Sequence, residues 1–274
     1  MLVSIIIPAF RAEATIGRAV QSALGQSWRE IEVIVVADDE ADYAALLARS
    51  GVSDERLRFV ATGSTGSGCH NARNVGLAVA RGDFIAALDA DDVFLTSRIA
   101  TLLPIAQKKG AATDNPRVIS EESGHELYRA FASKMPASLG VAELLALSVP
   151  LFPLVAREYA EPRLPGIEFG EDFVANLRLI DRIGKLPVIR DSLFEYHVVT
   201  GSLSHSDQSA EHFEKSYSEL IERLERGDKL GLSPHNAAMA RDALMKKREF
   251  NRAFAAARGR DPQLDFQSFA AQQG

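Results

Sequence analysis

Cysteine is nearly absent from this 274-residue chain. The one thiol, Cys69, forbids an intrachain disulfide and leaves no cysteine-based zinc cluster, so a reducing compartment is the default expectation. Long apolar runs are missing too. The longest early one, Ile5 to Ile7, is far short of the about 18–20 residues that span a bilayer, and neither a basic n-region nor a signal-type apolar core precedes it. Positive charge is in deficit, with 31 basic against 37 acidic residues and a formal charge of −6, which argues against nucleic acid as the main partner. No repeat of about 20–50 residues and no low-complexity tract is visible. The remainder, 46% hydrophobic and 25% charged, is ordinary for a globular protein. It predicts a soluble, cytoplasmic chain of one large domain, or one domain with an appendage.

Strand and helix signals alternate through the first hundred residues. Val3 to Ile7 is a β-branched run ended by Pro8, Ile31 to Val36 is a second, Leu57 to Val60 a third, and Phe84 to Leu88 a further one. Between them, Ile16, Val20, Ala23 and Leu24 recur at helical spacing behind Thr15 as N-cap; Tyr43 to Arg49 and Asn71 to Ala80 also read as helices. Short strands separated by helices imply βαβ units and a mostly parallel sheet. Beyond residue 110 the pattern loosens. Gly110 to Gly124 is polar and turn-rich, Leu144 to Val155 predicts a helix end followed by a strand, and Pro162 to Gly170 reads as a loop. Phe173 to Ile183 reads as a helix, Val188 to Val199 as extended, Gly201 to Gln208 as a polar loop, and the chain from Ser209 as helical with a break at Gly227 to Pro234.

Chemistry-bearing residues gather at the ends of these strands. Asp89 and Asp91, with Asp92 beside them, end a buried strand, where open parallel sheets bind ligands; two such carboxylates offer hard oxygen donors to Mg²⁺ or Mn²⁺. The bland alternative is that Asp91 or Asp92 caps a following helix. Asp38, Asp39 and Asp42 end the second strand, either as an acidic turn or as hydrogen-bond acceptors for a base or ribose. Gly66, Gly68 and Asn71 to Asn74 open a helix whose N-terminus and Arg73 favour phosphate, with Asn74 able to bond locally and hold the loop. Neither a Walker A nor a dinucleotide fingerprint is present. Glu171 and Asp172 suit the electrostatics of a helix start or the work of a general base. His70, His125, His197 and His205 form no close-spaced metal pair, and the nucleophile elbow of hydrolases is missing. Cys69 has no activating context beyond His70.

In their order, VSIIIPAF, IEVIVVADDEAD, NARNVGLAVARGDFIAALDADD and GEDF resemble the family 2 glycosyltransferases over residues 2–205. That resemblance implies an α/β, GT-A, Rossmann-like, mostly parallel sheet flanked by helices, followed by a C-terminal helical extension. Residues 1–205 would form the catalytic domain, 1–115 on the nucleotide-sugar side and 116–205 on the acceptor side, and residues 206–274 the extension. It further implies that Pro8, Ala9 and Phe10 line the base, that Asp38 recognises it, and that Arg73 lies near the nucleotide. Asp89, Ala90 and Asp91 match the DXD motif holding the metal and donor diphosphate, and Asp172 the catalytic base, with Glu171 as its acceptor-side neighbour.

An inverting transfer from a nucleotide-diphosphate sugar, UDP-linked in most of the family, to a glycan or lipid-linked hydroxyl follows from the resemblance, in bacterial surface polysaccharide synthesis. The pattern departs in two places. Ala37 and Glu40 replace an aspartate and a serine of the second-strand loop, and Tyr196–His197 stands where relatives carry Tyr-Arg before Gly201, Ser202 and Ser204. His197 is therefore either a ligand of metal or diphosphate or a partly buried histidine.

Two other readings stay open. Phe84 to Val93 also fits the haloacid-dehalogenase phosphatase pattern, with Asp89 as nucleophile and Asp91 as acid/base, and a nucleotide-sugar-binding protein without turnover would keep the same motifs. Between Arg241 and Arg260 stand seven basic and two acidic residues, with Leu244, Phe250 and Phe254 at helical intervals. That segment either touches a membrane surface or acceptor or packs its aromatics inward.

Overall fold

A computed structural model describes residues 1–131, 135–147, 149–167, 170–198, 209–261 and 269. The chain divides into two compact units, 1–199 and 200–274. The boundary expected at residue 205, the loop from Gly201 to Gln208, and His205 lie outside the described residues.

In the first unit Val3–Ala9 (β1), Ile16–Leu24 (α1), Ile31–Ala37 (β2), Tyr43–Arg49 (α2), Leu57–Ala61 (β3), Cys69–Val79 (α3) and Phe84–Ala87 (β4) follow the expected order. Their strands pair in the order β3-β2-β1-β4, all parallel, with Ile6 opposite both Ile34 and Ala87. Parallel pairing demands a crossover between strands, and the helices supply it. Thr15 does not cap α1 as expected: its side chain makes no capping bond, and the Ala12 carbonyl accepts from the Thr15 and Ile16 amides to turn the chain into the helix.

Val93–Phe94 (β5), Arg98–Lys109 (α4), Ala111–Ala112 (β6), Arg117–Ser120 (β7), Glu126–Arg129 (β8), Ser138–Leu139 (β9), Val141–Leu145 (α5), Leu154–Ala156 (β10), Glu171–Ile183 (α6), Leu186–Pro187 (β11) and Phe194–Val198 (β12) complete this unit. β10 and β6 extend the main sheet antiparallel, beyond β4. A separate four-stranded sheet runs β5-β12-β7-β8. The stretch from Gly110 to Gly124 thus contains β6 and β7 where only turns were expected. Helix α4 carries Pro104 in its interior, a helix-breaking signal that masks its apolar spacing.

Successive strand side chains point to opposite faces. Val3, Ile5, Ile7, Val33 and Val35 meet Ile16, Val20, Ile99 and Leu102 in the larger core, on the α1 and α4 side. Ile6, Ile34, Val36 and Ile85 meet Ala72 of α3 on the other face. There the helix comes so near the sheet that a Cβ on Gly76 would stand 2.4 Å from Ile6 Cγ2.

A buried ion pair joins segments that the strand order leaves apart. Arg98 and Asp114 have fully buried side chains, 2.9 Å apart. Arg98 also donates to the Phe152 carbonyl (2.6 Å), and Asp114 accepts from the Leu193 amide (2.8 Å). The guanidinium lies 4.2 Å from the ring centre of Phe94 and 5.5 Å from that of Phe194. Neither charge could be left there without the other.

In the second unit Ser209–Glu225 (α7) and Pro234–Arg258 (α8) pack on each other, with Ser233 capping α8. Arg252 of α8 pairs with Glu214 of α7, and the rings of Phe250 and Phe254 lie 5.2 and 5.6 Å from that of Phe269. Both aromatics of the basic segment therefore belong to this unit's own core.

Two stability predictions follow from close packing and buried charge. Gly76→Ala should cost about 1–3 kcal/mol in urea unfolding, by overpacking α3 against β1. Asp114→Ala should cost about 3–5 kcal/mol, whereas Glu126→Ala, which breaks a surface pair to Arg129, should cost about 1 kcal/mol or less. Equal losses at the two carboxylates would contradict the assignment.

Candidate active site

The carboxyl ends of β1, β2, β3 and β4 share one edge of the sheet, because the four strands are parallel. At the end of β1, Phe10 is 43% exposed, an isolated aromatic surface beside Gly66 of the loop after β3, with the Arg11 guanidinium 5.0 Å from its ring centre. Pro8 and Ala9 are buried in β1. Arg11 takes a left-handed φ of 51°, held by its amide donating to Asp39 Oδ2 at 2.5 Å.

Each aspartate after β2 already has partners. Asp38, 3% exposed, accepts from Ser67 N (3.1 Å), Ser67 Oγ (2.5 Å) and Gly68 N (2.8 Å), and Thr62 Oγ1 lies 2.8 Å from its Oδ1. These donors hold its carboxyl below the usual aspartate range despite burial. A carboxylate has room for about four such bonds, and these tie Asp38 to the 62–68 loop, three of them through Oδ1. Asp39 accepts from Tyr43 Oη (2.9 Å) and Asp42 caps α2 through the Ala45 amide (2.9 Å). All three are thus held by hydrogen bonds within the protein.

Past that loop, α3 carries Arg73 inward. Only 6% exposed, Arg73 pairs with Asp89 beyond β4 and with Glu171 at the start of α6. Arg163 Nε lies 2.8 Å from the other Glu171 oxygen. One buried guanidinium thus brings together the strand-end acid and the acid pair, which stand 82 positions apart in sequence (171 − 89). Burial raises the Asp172 pKa, opposed by Arg73 and Arg163, and burial with the Arg73 charge brings Arg163 down to about 10. Burial pushes the Cys69 thiol up to about 11, so it stays protonated.

The remaining acids form a crowded corner. Asp91 opens to solvent, yet loss of water around its carboxyl, and next the Asp89 charge, push its pKa up to about 6. Asp92 is fully buried and raised well above the ordinary value by burial and then by Asp91 and Asp89; its Oδ1 accepts from the His197 amide (2.9 Å) while Oδ2 has no partner. Neither caps a helix, since α4 begins only at Arg98. Ala90, between Asp89 and Asp91, is buried. Among the described residues no group of three His, Cys, Asp or Glu side chains gathers to hold a metal. A divalent cation would rest on Asp89 and Asp91 with ligand and water oxygens, as Mg²⁺ and Mn²⁺ favour. The surplus negative charge and the orphaned Asp92 oxygen fit such an ion.

His197 does not join that donor set. Its Nδ1 lies 2.7 Å from Glu121 and its Nε2 3.4 Å from Glu195, so both ring nitrogens face carboxylates. Glu121 also pairs with Arg18, and Arg18 donates to the Asp91 carbonyl at 2.5 Å. Arg18 and Glu121 escape sequence reading because their partners are 73 or more positions away, and Glu195 and Arg163 because they sit at no motif.

With this geometry in place, the comparisons give it a class. Residues 4–197 match the profile described as Glycosyl transferase family 2, and the chain belongs to that family. Membership removes the haloacid-dehalogenase alternative. The succinoglycan biosynthesis protein ExoO of Rhizobium meliloti (strain 1021) is 29% identical over 225 residues, covering 74% of this chain and 62% of that protein. WfgD of Escherichia coli, a UDP-Glc:alpha-D-GlcNAc-diphosphoundecaprenol beta-1,3-glucosyltransferase, is 37% identical over 98 residues, 36% of this chain and 38% of its own. The chain therefore spans less than two thirds of the length of either relative. Staphylococcus aureus TarS 1–349 in complex with UDP superposes with a TM-score of 0.67 at 14% identity, over 97% of this chain and 76% of TarS. That likeness establishes the GT-A fold.

Asp92 yields a pH prediction. Its folded pKa is raised, so the native state binds the extra proton and ionisation at higher pH works against folding. In chelator, Asp92→Asn should gain about 1–3 kcal/mol over the wild type at pH 8. The gain should shrink as pH falls toward 4, where the unfolded carboxyl begins to take up the proton that the native one already holds. A difference that stays constant from pH 4 to 8 in urea titrations would contradict the burial argument.

Proposed function

We infer that the chain is an inverting, metal-dependent glycosyltransferase. It moves a sugar from a UDP-sugar to a hydroxyl of a glycan or lipid-linked acceptor during bacterial polysaccharide synthesis. The observation carrying this reading is Arg73, whose two ion pairs place the strand-end acid Asp89 beside the Glu171–Asp172 pair. Family membership supports sugar transfer. WfgD acts on a diphosphoundecaprenol-linked sugar, and TarS has been crystallised with UDP and with UDP-GlcNAc, which favours a UDP donor and a lipid-linked acceptor here.

In this reading the base lies against the exposed Phe10 ring at the β1 end, within the loop that Asp38 holds. Asp89 and Asp91 would hold Mn²⁺ or Mg²⁺, which when bound neutralises charge on the departing diphosphate. Asp172 takes the proton of the acceptor hydroxyl as its oxygen attacks the anomeric carbon. The new C–O bond forms on the face opposite the breaking C–O(phosphate) bond, whose electron pair leaves on UDP, so the centre inverts. Burial raises the Asp172 pKa and favours a carboxyl that keeps the proton it receives, while the Arg73 and Arg163 charges oppose that rise. Arg73, buried and shared by two acids, acts by its field and by positioning. Any contact between the 241–260 segment and a membrane would fall to its basic residues, since Phe250 and Phe254 are used internally; none of the described helices is long and apolar enough to cross a bilayer.

Thermal shift with nucleoside diphosphates and Mn²⁺ tests the donor side. UDP with metal should raise the melting temperature of the wild type, and Asp91→Ala should abolish the metal-dependent part. Asp172→Asn should keep UDP affinity within about twofold while UDP release in the presence of acceptor falls about 10²–10⁴-fold. Unchanged transfer would reject Asp172 as the base, and binding without turnover in the wild type would favour a sugar-nucleotide-binding role.

A further inference from the structure

Helix α3 makes a second long-range connection, one position after Arg73. The Asn74 side-chain amide donates to the Arg163 carbonyl (3.0 Å), and the Arg163 backbone amide donates to Asn74 Oδ1 (2.6 Å). The two bonds fix the amide's orientation, because a flipped side chain would set donor against donor and acceptor against acceptor. They form a reciprocal bridge across 89 positions. Arg163, held in this way, places Nε 2.8 Å from Glu171 in the first turn of α6, next to Asp172.

Little apolar packing supports this segment. Tyr159, Glu161 and Arg163 line one side of an open pocket, facing Asn74 of α3 and Asn176 and Arg178 of α6. Polar ties hold it instead. Arg157 Nε donates to the Gly82 carbonyl (2.6 Å), Arg178 donates to the Pro162 carbonyl (2.8 Å) and pairs with Glu161, and Asn74 grips Arg163. Alongside a void, hydrogen bonds determine where the backbone sits. Of these ties, the Asn74 bridge reaches the residue that touches the acid pair.

We propose that Asn74 and Arg163 are positioning residues that set the acid pair Glu171–Asp172 relative to α3, and thus set the base against the donor side. The proposal rests on the transferase reading for its effect on turnover, but the brace itself is structural and can be read separately. Arg73 faces Asp89 from α3 while Asn74, the next residue, reaches the segment before α6, so one helix would fix both partners of the reaction. A displacement of about 1 Å at such a site lowers turnover by about a hundredfold, whereas the nucleotide loop held by Asp38 is built from other residues.

Asn74→Leu and Arg163→Gln test this in the full chain, the second in a loop where folding is least at risk. Amide exchange over residues 174–177 of α6 should accelerate about tenfold or more in both variants, with exchange in β1 and β2 unchanged. UDP affinity with Mn²⁺ should stay within about twofold. For a panel of UDP-glucose, UDP-galactose and UDP-GlcNAc, UDP release at saturating donor should fall about tenfold or more at nearly constant donor KM. Arg163→Lys should recover most of the rate, and the double variant should be no worse than the weaker single, as expected for one chain of contacts. Unchanged exchange at α6, or UDP affinity falling in step with turnover, would overturn the brace. Should the wild type neither bind UDP nor release it from any of these sugars, the transferase reading fails, and the exchange result alone decides the brace.

Discussion

The site depends on a shared positive charge. Arg73 is too deeply buried to stand alone, and the fold supplies it with Asp89 from one side and Glu171 from the other. Removing water from a guanidinium is tolerable only where carboxylates replace the lost solvation, so the requirement runs in both directions. The acids cannot drift apart without stranding the arginine, and α3 cannot move without taking the acids with it. Gly76, one helical turn further along, lets α3 lie against β1 closely enough to make that fixation rigid.

Around this centre the charges fall into two sets with different duties. Arg73, Arg163, Asp89, Glu171 and Asp172 mix both signs. The corner of Asp91 and Asp92 has an excess of negative charge, bordered by Arg18, Glu121 and His197. The first set is held by ion pairs, although Arg73 Nε, Arg163 Nε and both Glu171 oxygens make no aligned hydrogen bond. The second keeps an uncompensated oxygen, and its carboxyl groups resist ionising. A sheet edge with one ion-paired region and one with excess negative charge suits the transfer proposed above, in which a diphosphate arrives, is neutralised and departs.

Much of the fold is legible in the chain because β1, β2, β4, α3 and α6 each carry their own periodicity. Helix α4 is not, since Pro104 interrupts its pattern, and the short strands β8 and β9 have too few residues to show one. The acids at residues 89–92 stand out because three carboxylates in four residues end a buried strand, whereas those at 171–172 match the ordinary electrostatics of a helix start. Their pairing does not stand out. Arg98 with Asp114, Arg73 with Asp89 and Glu171, and His197 with Glu121 meet only after the chain has folded, and no local spacing announces contacts between residues 16 or more positions apart. The second-strand aspartates illustrate the opposite case. Their position suggests a ligand, and the structure shows each of them bonded within the protein.

Asp38 carries a consequence for how mutagenesis at this sheet edge is interpreted. Because loop donors occupy its carboxylate, replacing it would release the segment from Thr62 to Gly68 and loosen the start of α3. Weaker nucleotide affinity in such a variant would then report a collapsed wall, and it would mislead anyone assigning base preference from that position.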